Sequence, residues 1–418
     1  MISDVDSYLR NFRFRDESNC SSSDASSDKP SVTDTISIHG SDVKKYISEF
    51  WTPRQRQACS IHEISYRACF KPQLPKFFIE LLSDAGDIVY DPFSGRGTTV
   101  IQAGLMSRKI VSNDVNPLSL ILARPRFYPP ELDDVSERLG QIPFDSSLKT
   151  DIDLSMFFHE RTLQEILSLK KYLKEKIKNR RDDKIDKWIA MIATNRLTGH
   201  STGFFSVYTL PPNQAVSPER QKKINLMRKQ IPHYRDTNQI ILKKTKTLLR
   251  TLTDIDRKSL GEAGKTGLFM CNDASRTSEI PSGTIQLTVT SPPFLDVVQY
   301  SKDNWLRRWF NSLDEGSVSD DITMATTIGQ WSKFIESVFL ELNRITRPNG
   351  WVAFEVGEVR NRTVNLDEHV VPIGLRSGFE CHGILVNSQE FSKTSNIWGV
   401  RNMKSGTNTN RIVLFHKP

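Results

Sequence analysis

The chain has 418 residues, of which 37% are hydrophobic and 25% charged, and carries a net charge of +8. That balance points to a soluble globular protein of one large or two ordinary domains, and the modest positive charge permits an anionic partner without demanding one. Five cysteines with no Cys-x-x-Cys pair argue against a zinc site or a disulfide framework, no apolar stretch approaches membrane-spanning length, and a cytoplasmic location is expected.

In chain order, residues 1–40 are polar and rich in serine, and a disordered tail is expected there. Ser41 to Cys69 mixes aromatic and charged residues and reads as a lead-in that packs beside the Asp91–Thr99 loop, with phosphate contact as the alternative. Phe70-Lys71-Pro72 precedes an amphipathic helix over Lys76–Leu82. Asp87–Tyr90 reads as a short buried strand, Val100–Met106 as a helix, and Lys109–Asn113 as a second strand that Asp114 ends. Between the first strand and its helix lies Asp91-Pro92-Phe93-Ser94-Gly95-Arg96-Gly97-Thr98-Thr99, where two glycines let backbone approach a nucleotide-like ligand and Thr98 or Thr99 is placed to cap the helix. A dinucleotide fingerprint would want glycine where Val100 stands, and a P-loop would want a lysine after Gly97. Helix, strand, loop, helix, strand is one half of a doubly wound sheet, assigned to residues 41–125.

Roughly 160 residues separate Asp114 from Asp273, too many for a crossover between neighbouring strands. Residues 126–264 are therefore read as an insertion, helical over Leu154–Lys178, Lys184–Leu197, Pro218–Lys229 and Asn238–Leu252. The basic run from Lys170 to Arg181 reads as a solvated helix face, with phosphate contact as the alternative. Gly199 to Gln214 is rich in glycine, aromatics and amides, which suits base stacking and base-edge hydrogen bonds. His200, Phe204, Phe205, Asn213 and Gln214 are its candidate substrate contacts, although core packing is the commoner use of a lone histidine such as His200.

Residues 265–418 supply the rest of the sheet. Gly267–Met270 reads as a strand before Asn272-Asp273, and Ile285–Val289 as one before Thr290-Ser291-Pro292-Pro293-Phe294. Ser301–Leu313 has an aromatic helix face, and Ile328–Ile345 a long amphipathic helix stopped by Pro348-Asn349-Gly350. Trp351–Val356 is a strand, Leu366–Leu375 a helix, and Phe379–Val386 with Arg411–His416 a closing strand pair. The fold class expected is α/β, a doubly wound, mostly parallel sheet with a largely helical insertion.

The nine-residue loop with Asp114 behind it, and Ser291–Phe294, resemble the cofactor loop and active-site tetrapeptide of the DNA amino-methyltransferases. These enzymes methylate the exocyclic nitrogen of cytosine or adenine, and this chain has their unpermuted order, cofactor loop first. The resemblance implies S-adenosyl-L-methionine as cofactor and assigns Asp91, Pro92, Phe93, Gly95, Gly97, Thr98, Thr99, Asp114 and Asn116 to its loop and ribose contacts. It also assigns Phe70 and Lys71 to the segment over its methionine part and Asp273 to its adenine. Ser291, Pro292, Pro293 and Phe294 become the catalytic residues, with no metal. An exocyclic amine is a poor nucleophile because its lone pair is delocalised into the ring. Acceptors at Ser291 and at the Pro292 carbonyl would localise that pair, the proline pair would stiffen the loop, and Phe294 would face an extruded base. The implied partner is double-stranded DNA, with a cognate restriction endonuclease acting separately. Serine first in the tetrapeptide favours cytosine-N4; adenine-N6 is the alternative, and an RNA base methyltransferase or a non-catalytic nucleic-acid-binding protein are further readings. The five cysteines include none in a Pro-Cys loop, which argues against carbon-5 methylation of cytosine.

Overall fold

The computed structural model describes residues 4–13, 31–51, 58–66, 69–209, 215–293, 303–313, 325, 327–359, 364–388 and 409–418. Their principal strands are β1 (Val32–Ile38), β2 (Ser41–Ser48), β3 (Ile88–Asp91), β4 (Lys109–Asn113), β5 (Leu268–Met270), β6 (Ile285–Thr290), β7 (Thr346–Val356), β8 (Glu380–Ser388) and β9 (Thr409–His416). They form one sheet in the order β1-β2-β8-β9-β7-β6-β3-β4-β5. The run β7-β6-β3-β4-β5 is parallel throughout, as is the β2–β8 pair, while β1–β2, β8–β9 and β9–β7 are antiparallel. From β3 the chain builds outward to β4 and β5, then returns across to β6 and β7. The order therefore reverses between β3 and β6, and in open α/β sheets ligands bind beyond the carboxyl ends at such a point.

The central strands are short and apolar because both faces are covered. All six residues of β6 are buried. Alternate residues feed two cores: Val89, Leu287 and Val289 face one, Tyr90, Ile285 and Val352 the other. The second core is closed by two helices over Ile328–Ile345 and Leu366–Arg376, both where the periodicity places them. The first is closed by α1 (Val5–Arg10), α2 (Gln73–Leu82), α3 (Thr98–Leu105) and α4 (Leu118–Ala123). It is also closed by the insertion helices α5 (Leu132–Gln141), α6 (Glu160–Lys178), α7 (Lys184–Arg196), α8 (Pro218–Arg228), α9 (Thr237–Leu249) and α10 (Asp254–Thr266). The later helices are α11 (Trp305–Phe310), α12 (Ile328–Ile345) and α13 (Leu366–Arg376).

Two expectations are corrected. Part of the 1–40 segment is ordered: Val5 and Leu9 of α1 are buried, Asp6 accepts hydrogen bonds from Lys44 and Tyr46, and β1 pairs along its length with β2. The exposed face of β1, Val32 to Thr35, lies on an open sheet edge, where polar residues discourage pairing with other chains, and residues 14–30, with most of the serine-rich stretch, lie outside the described residues. The second correction concerns Leu154–Lys178. Its helix starts at Glu160, where the His159 ring nitrogen accepts from the Arg161 N–H; Leu154, Met156, Phe157 and Phe158 are buried ahead of it. The helix α10 has no strong apolar period to announce it, although Thr253 and Asp256 form a reciprocal cap at its start.

The insertion shares its core with the sheet. Gly104 of α3 and Gly264 of α10 meet at Phe127, where a Cβ on Gly264 would come within 2.7 Å of the Phe127 Cβ. Leu260 is fully buried in that contact. Leu260→Ala is expected to cost about 2–5 kcal/mol and to shift circular dichroism and tryptophan fluorescence together in one urea transition. Two separated transitions would instead show an independently folding insertion.

Candidate active site

The carboxyl ends of β3 and β6 lie side by side because the strands pair in parallel, Val89 opposite Leu287 and Tyr90 opposite Thr288. Two hydrogen bonds lock the segments that leave them. Thr290 Oγ1 donates to Asp91 Oδ1 at 2.6 Å, across 199 positions of sequence, and Thr99 Oγ1 donates to the Val289 carbonyl at 3.0 Å. Asp91 is buried, which pushes its carboxyl up to about 7, opposed by the bonds from Thr290 and from the Phe93 N–H. Its Oδ1 is committed to joining the two loops, so Asp91 acts as a positioning residue.

The loop after β3 is shaped by backbone demands. Gly95 has φ +53° and Gly97 φ +78°. A Cβ on Gly97 would approach the Ala123 Cβ to 2.6 Å, so glycine is required there on two counts. Gly97 is also the N-cap of α3, with no side-chain cap. Thr98 and Thr99 do not cap the helix as expected: Thr98 accepts from Arg96 Nε, and Thr99 is turned toward β6. Asp114, just past β4, accepts from the Gly95 N–H at 2.7 Å and from the Asn116 N–H at 2.9 Å. Burial pushes its carboxyl up to about 6. Asn116 is itself held, donating to the Tyr66 hydroxyl and accepting from the Leu118 N–H. Phe70 accepts from Arg96 through its carbonyl, and Lys71 is exposed at the mouth of the adjoining pocket.

On the other side, Ser291 is half-buried and Pro292 buried, and the Pro293 carbonyl accepts from Trp331 Nε1 at 2.9 Å, so α12 fixes the loop. Phe294 lies outside the described residues, as do Asn213 and Gln214. The residue missed by sequence reading is Glu355 on β7. It is 6% exposed, its carboxylate accepts from Asn410 and lies near the Ser291 hydroxyl, and burial pushes it up to about 7. An acid inside the run Trp351-Val352-Ala353-Phe354-Glu355-Val356 was a legible signal, because a carboxylate is rarely buried without a partner.

Residues 13–121 match the family model described as DNA methylase, of the N6/N4 type. Over that segment the chain is similar to the DNA amino-methyltransferases of the N4/N6 type. It is 34% identical over 70 residues to the type II methyltransferase M.MjaII of Methanocaldococcus jannaschii, covering 17% of this chain and 13% of that protein. It is 29% identical over 98 residues to the type II methyltransferase M.MvaI of Kocuria varians, covering 23% and 20%. The chain thus spans a fifth or less of the length of these relatives. Among solved structures it is similar to the rRNA methyltransferase AviRa of Streptomyces viridochromogenes, at 11% identity and a TM-score of 0.34 over 87% of this chain and 93% of that one. A TehB-like methyltransferase of Corynebacterium glutamicum aligns at 8% identity and a TM-score of 0.29 over 82% and 87%.

S-adenosylmethionine is the cofactor of the amino-methyltransferases, and the residues fit it. Positive-φ glycine backbone at Gly95 and a carboxylate at Asp114 share the crevice at the switch point. Other expected contacts are placed differently. Asp273 is exposed, its Oδ1 is bonded within its own turn to the Ser275 N–H and hydroxyl at 2.8 Å each, and it lines a separate groove with Arg276 and Arg344. An Asp two residues before a Ser closes such a turn locally. Phe204 and Phe205 are 4% and 1% exposed and offer no free face to a base. Phe205 is core, and the Phe204 ring is covered by the Arg196 guanidinium 4.0 Å from its centre. His200 is exposed beside Phe204, not packed in the core. Lys170, from the basic run, donates to the carbonyls of Trp309 and Phe310 and so ties α6 to α11.

Because Gly97 combines a left-handed φ with a 2.6 Å approach, Gly97→Ala is expected to lower stability by about 1–3 kcal/mol. Isothermal titration with S-adenosylhomocysteine should show a parallel loss of affinity, and unchanged values in both measurements would contradict the geometry.

Proposed function

We propose that the chain is a DNA methyltransferase acting on the exocyclic N4 amine of cytosine in duplex DNA, with S-adenosylmethionine as methyl donor. The observation that carries the reading is the convergence of the two motifs: the Asp91–Thr99 loop and the Thr290–Pro293 loop leave adjacent parallel strands and are bonded to each other through Thr290–Asp91 and Thr99–Val289. Serine at the head of the tetrapeptide supports cytosine over adenine, as in the enzymes this chain resembles.

Gly95, Gly97, Asp114 and Asn116 are the residues that would hold the donor, and Phe70 and Lys71 would border it. Bound there, it supplies a methyl group already activated on a sulfonium sulfur. The rest falls to the chain. Ser291 Oγ and the Pro292 carbonyl accept the hydrogens of the extruded base's amine, pull that nitrogen toward tetrahedral geometry and localise its lone pair. Pro292 and Pro293 hold the acceptors still, with the Trp331 indole bonded to the loop from behind. The amine gains a bond to carbon and must shed a proton. The Ser291 hydroxyl can take it while passing its own to Glu355, the nearby buried carboxylate.

Transfer of tritiated methyl from the cofactor to duplex DNA, in parallel with single-stranded RNA and protein, tests the reading. Label is expected in duplex DNA alone and, after digestion to nucleosides, in N4-methylcytosine. Label in N6-methyladenine would move the target to adenine, and label only in RNA would overturn the DNA assignment. Ser291→Ala is expected to abolish transfer with S-adenosylhomocysteine binding retained.

Glu355 gives the reaction a pH signature. Its carboxyl is raised to about 7, so below that pH it is protonated and cannot accept. The rate should rise with pH through about 7 in the wild-type chain. Glu355→Gln should lower kcat by about 10²-fold or more and remove that limb, with KM for DNA little changed. A variant that is merely slower, with the same pH limb, would assign Glu355 a packing role only.

A further inference from the structure

Beside the cofactor loop lies an open pocket of about 1020 Å³, walled by Tyr66 and Lys71 on one side, Arg196, Lys244 and Arg250 of the insertion on the other, and Arg96 of the loop itself. Its charge is unbalanced. Among the described residues that line it the one carboxylate is Glu63, and that is paired with Arg250 at 2.8 Å. Arg96 donates to the Ile64 and Phe70 carbonyls and to Thr98 Oγ1, and none of these partners is charged. Arg196 lies flat on Phe204, bonds to Asn195 and Ser65, and has a buried Nε with no partner among the described residues. Lys244, half-buried on α9, has neither a hydrogen bond nor a salt bridge to any described residue. Burial and the nearby Arg196 push its ammonium down to about 7. Taking cations out of water without counter-charges is costly, so this arrangement is built for a charge that arrives from outside.

We propose that this pocket seats a phosphodiester of the substrate strand, gripped by Arg196 and Lys244 next to the cofactor loop. The inference rests on the nucleic-acid reading above and gives it a backbone contact. A phosphodiester suits the site in two ways. Its oxygens accept from a guanidinium fork and an ammonium together, and its charge is uncompensated within the ligand. The cofactor's carboxylate, by contrast, carries its own ammonium on the same carbon and needs no such excess of cations. The placement also fits an extruded nucleotide. Arg96 stands between Gly95 and Gly97, so a phosphate in the pocket is anchored at the edge of the loop across which the base must reach.

The test uses the full chain, a fluorescein-labelled duplex that it methylates, and anisotropy over a salt series. Loss of one phosphate contact lowers the slope of log K against log[salt] by about 0.9. Lys244→Gln should show that drop together with a roughly 5–10-fold weaker duplex affinity near 0.1 M salt, while Lys244→Arg restores the wild-type slope. S-adenosylhomocysteine affinity, by calorimetry, should stay within about twofold and confirm that the fold is intact. Lys244→Met serves as a second neutral variant and should match Lys244→Gln. A wild-type slope in both neutral variants would overturn the proposal. Lost S-adenosylhomocysteine affinity at unchanged slope would also overturn it and assign the cations to the cofactor's carboxylate. Failure of the wild-type chain to methylate any duplex would bring down the DNA reading itself, and is seen before any variant is made.

Discussion

The hydrogen bond from Thr290 to Asp91 is the constraint on which the site depends. It joins the last residues of two neighbouring parallel strands that are 199 positions apart, at the point where the strand order reverses. Parallel pairing alone would bring the two carboxyl ends to the same edge. It would not fix how the loops leave them. The Asp91 carboxylate does that, because the oxygen that takes the Thr290 hydroxyl also takes the Phe93 N–H. One acid therefore sets the exit of the cofactor loop and the exit of the Ser291 loop together. Thr99 repeats the link one turn further on, bonding the start of α3 to the Val289 carbonyl. In the methyl transfer proposed above, donor and acceptor must align to a fraction of an ångström, and cross-links between the two loops are a direct way to hold that alignment.

Legibility in the sequence has the same physical basis. The two motifs were legible because their chemistry demands residue types at fixed local spacing: glycine at positive φ, an acid ending the next strand, a polar residue before two prolines. The long helices Ile328–Ile345 and Leu366–Arg376 were legible because one apolar face repeats along each. Pairings over long separations were not. Glu355 stands out as an acid in an apolar strand, but its neighbours Ser291 and Asn410 do not until β7 places it beside them. The Phe204-Phe205 pair reads as a stacking platform until the fold buries both and lays Arg196 over one of them. The α1–β1–β2 region was hidden by composition, since an edge strand and a disordered tail draw on the same polar residues.

The insertion misled in an instructive way. Its most visible basic feature, Lys170 to Arg181, suggested either solvated charge or phosphate contact, yet the first of these lysines is bonded to the carbonyls of α11. The cations of the proposed phosphate pocket are dispersed in sequence, at 96, 196 and 244, and no window of composition would flag them. They become a site only because α7 and α9 pack on the same core as α3 and α4, which carries their inner faces up to the cofactor loop. A shared core is what an insertion needs if it is to position a substrate strand against chemistry performed elsewhere in the sheet; a module tethered by flexible linkers could bind DNA but could not place one nucleotide.

The local charge also bears on stability. Arg126, fully buried behind the pocket, is bonded to the carbonyls of Leu122, Ile61 and Arg96, and burial and the nearby Arg96 push its guanidinium well below its usual value. Arg96, buried beside it, likewise has two carbonyls and a hydroxyl as partners. Each satisfied donor recovers part of the lost hydration, but the mutual repulsion remains, because neutral acceptors do not cancel a field. Such a pair is tolerable in a core that is otherwise well packed. A phosphodiester seated in the pocket as proposed would offset that repulsion in the folded state and would have no comparable site in the unfolded chain, so its binding would stabilise the fold. On that reading the arginines that cost the free protein would strengthen its complex, a physical reason for a sequence to keep them where hydrophobic side chains would pack with less strain.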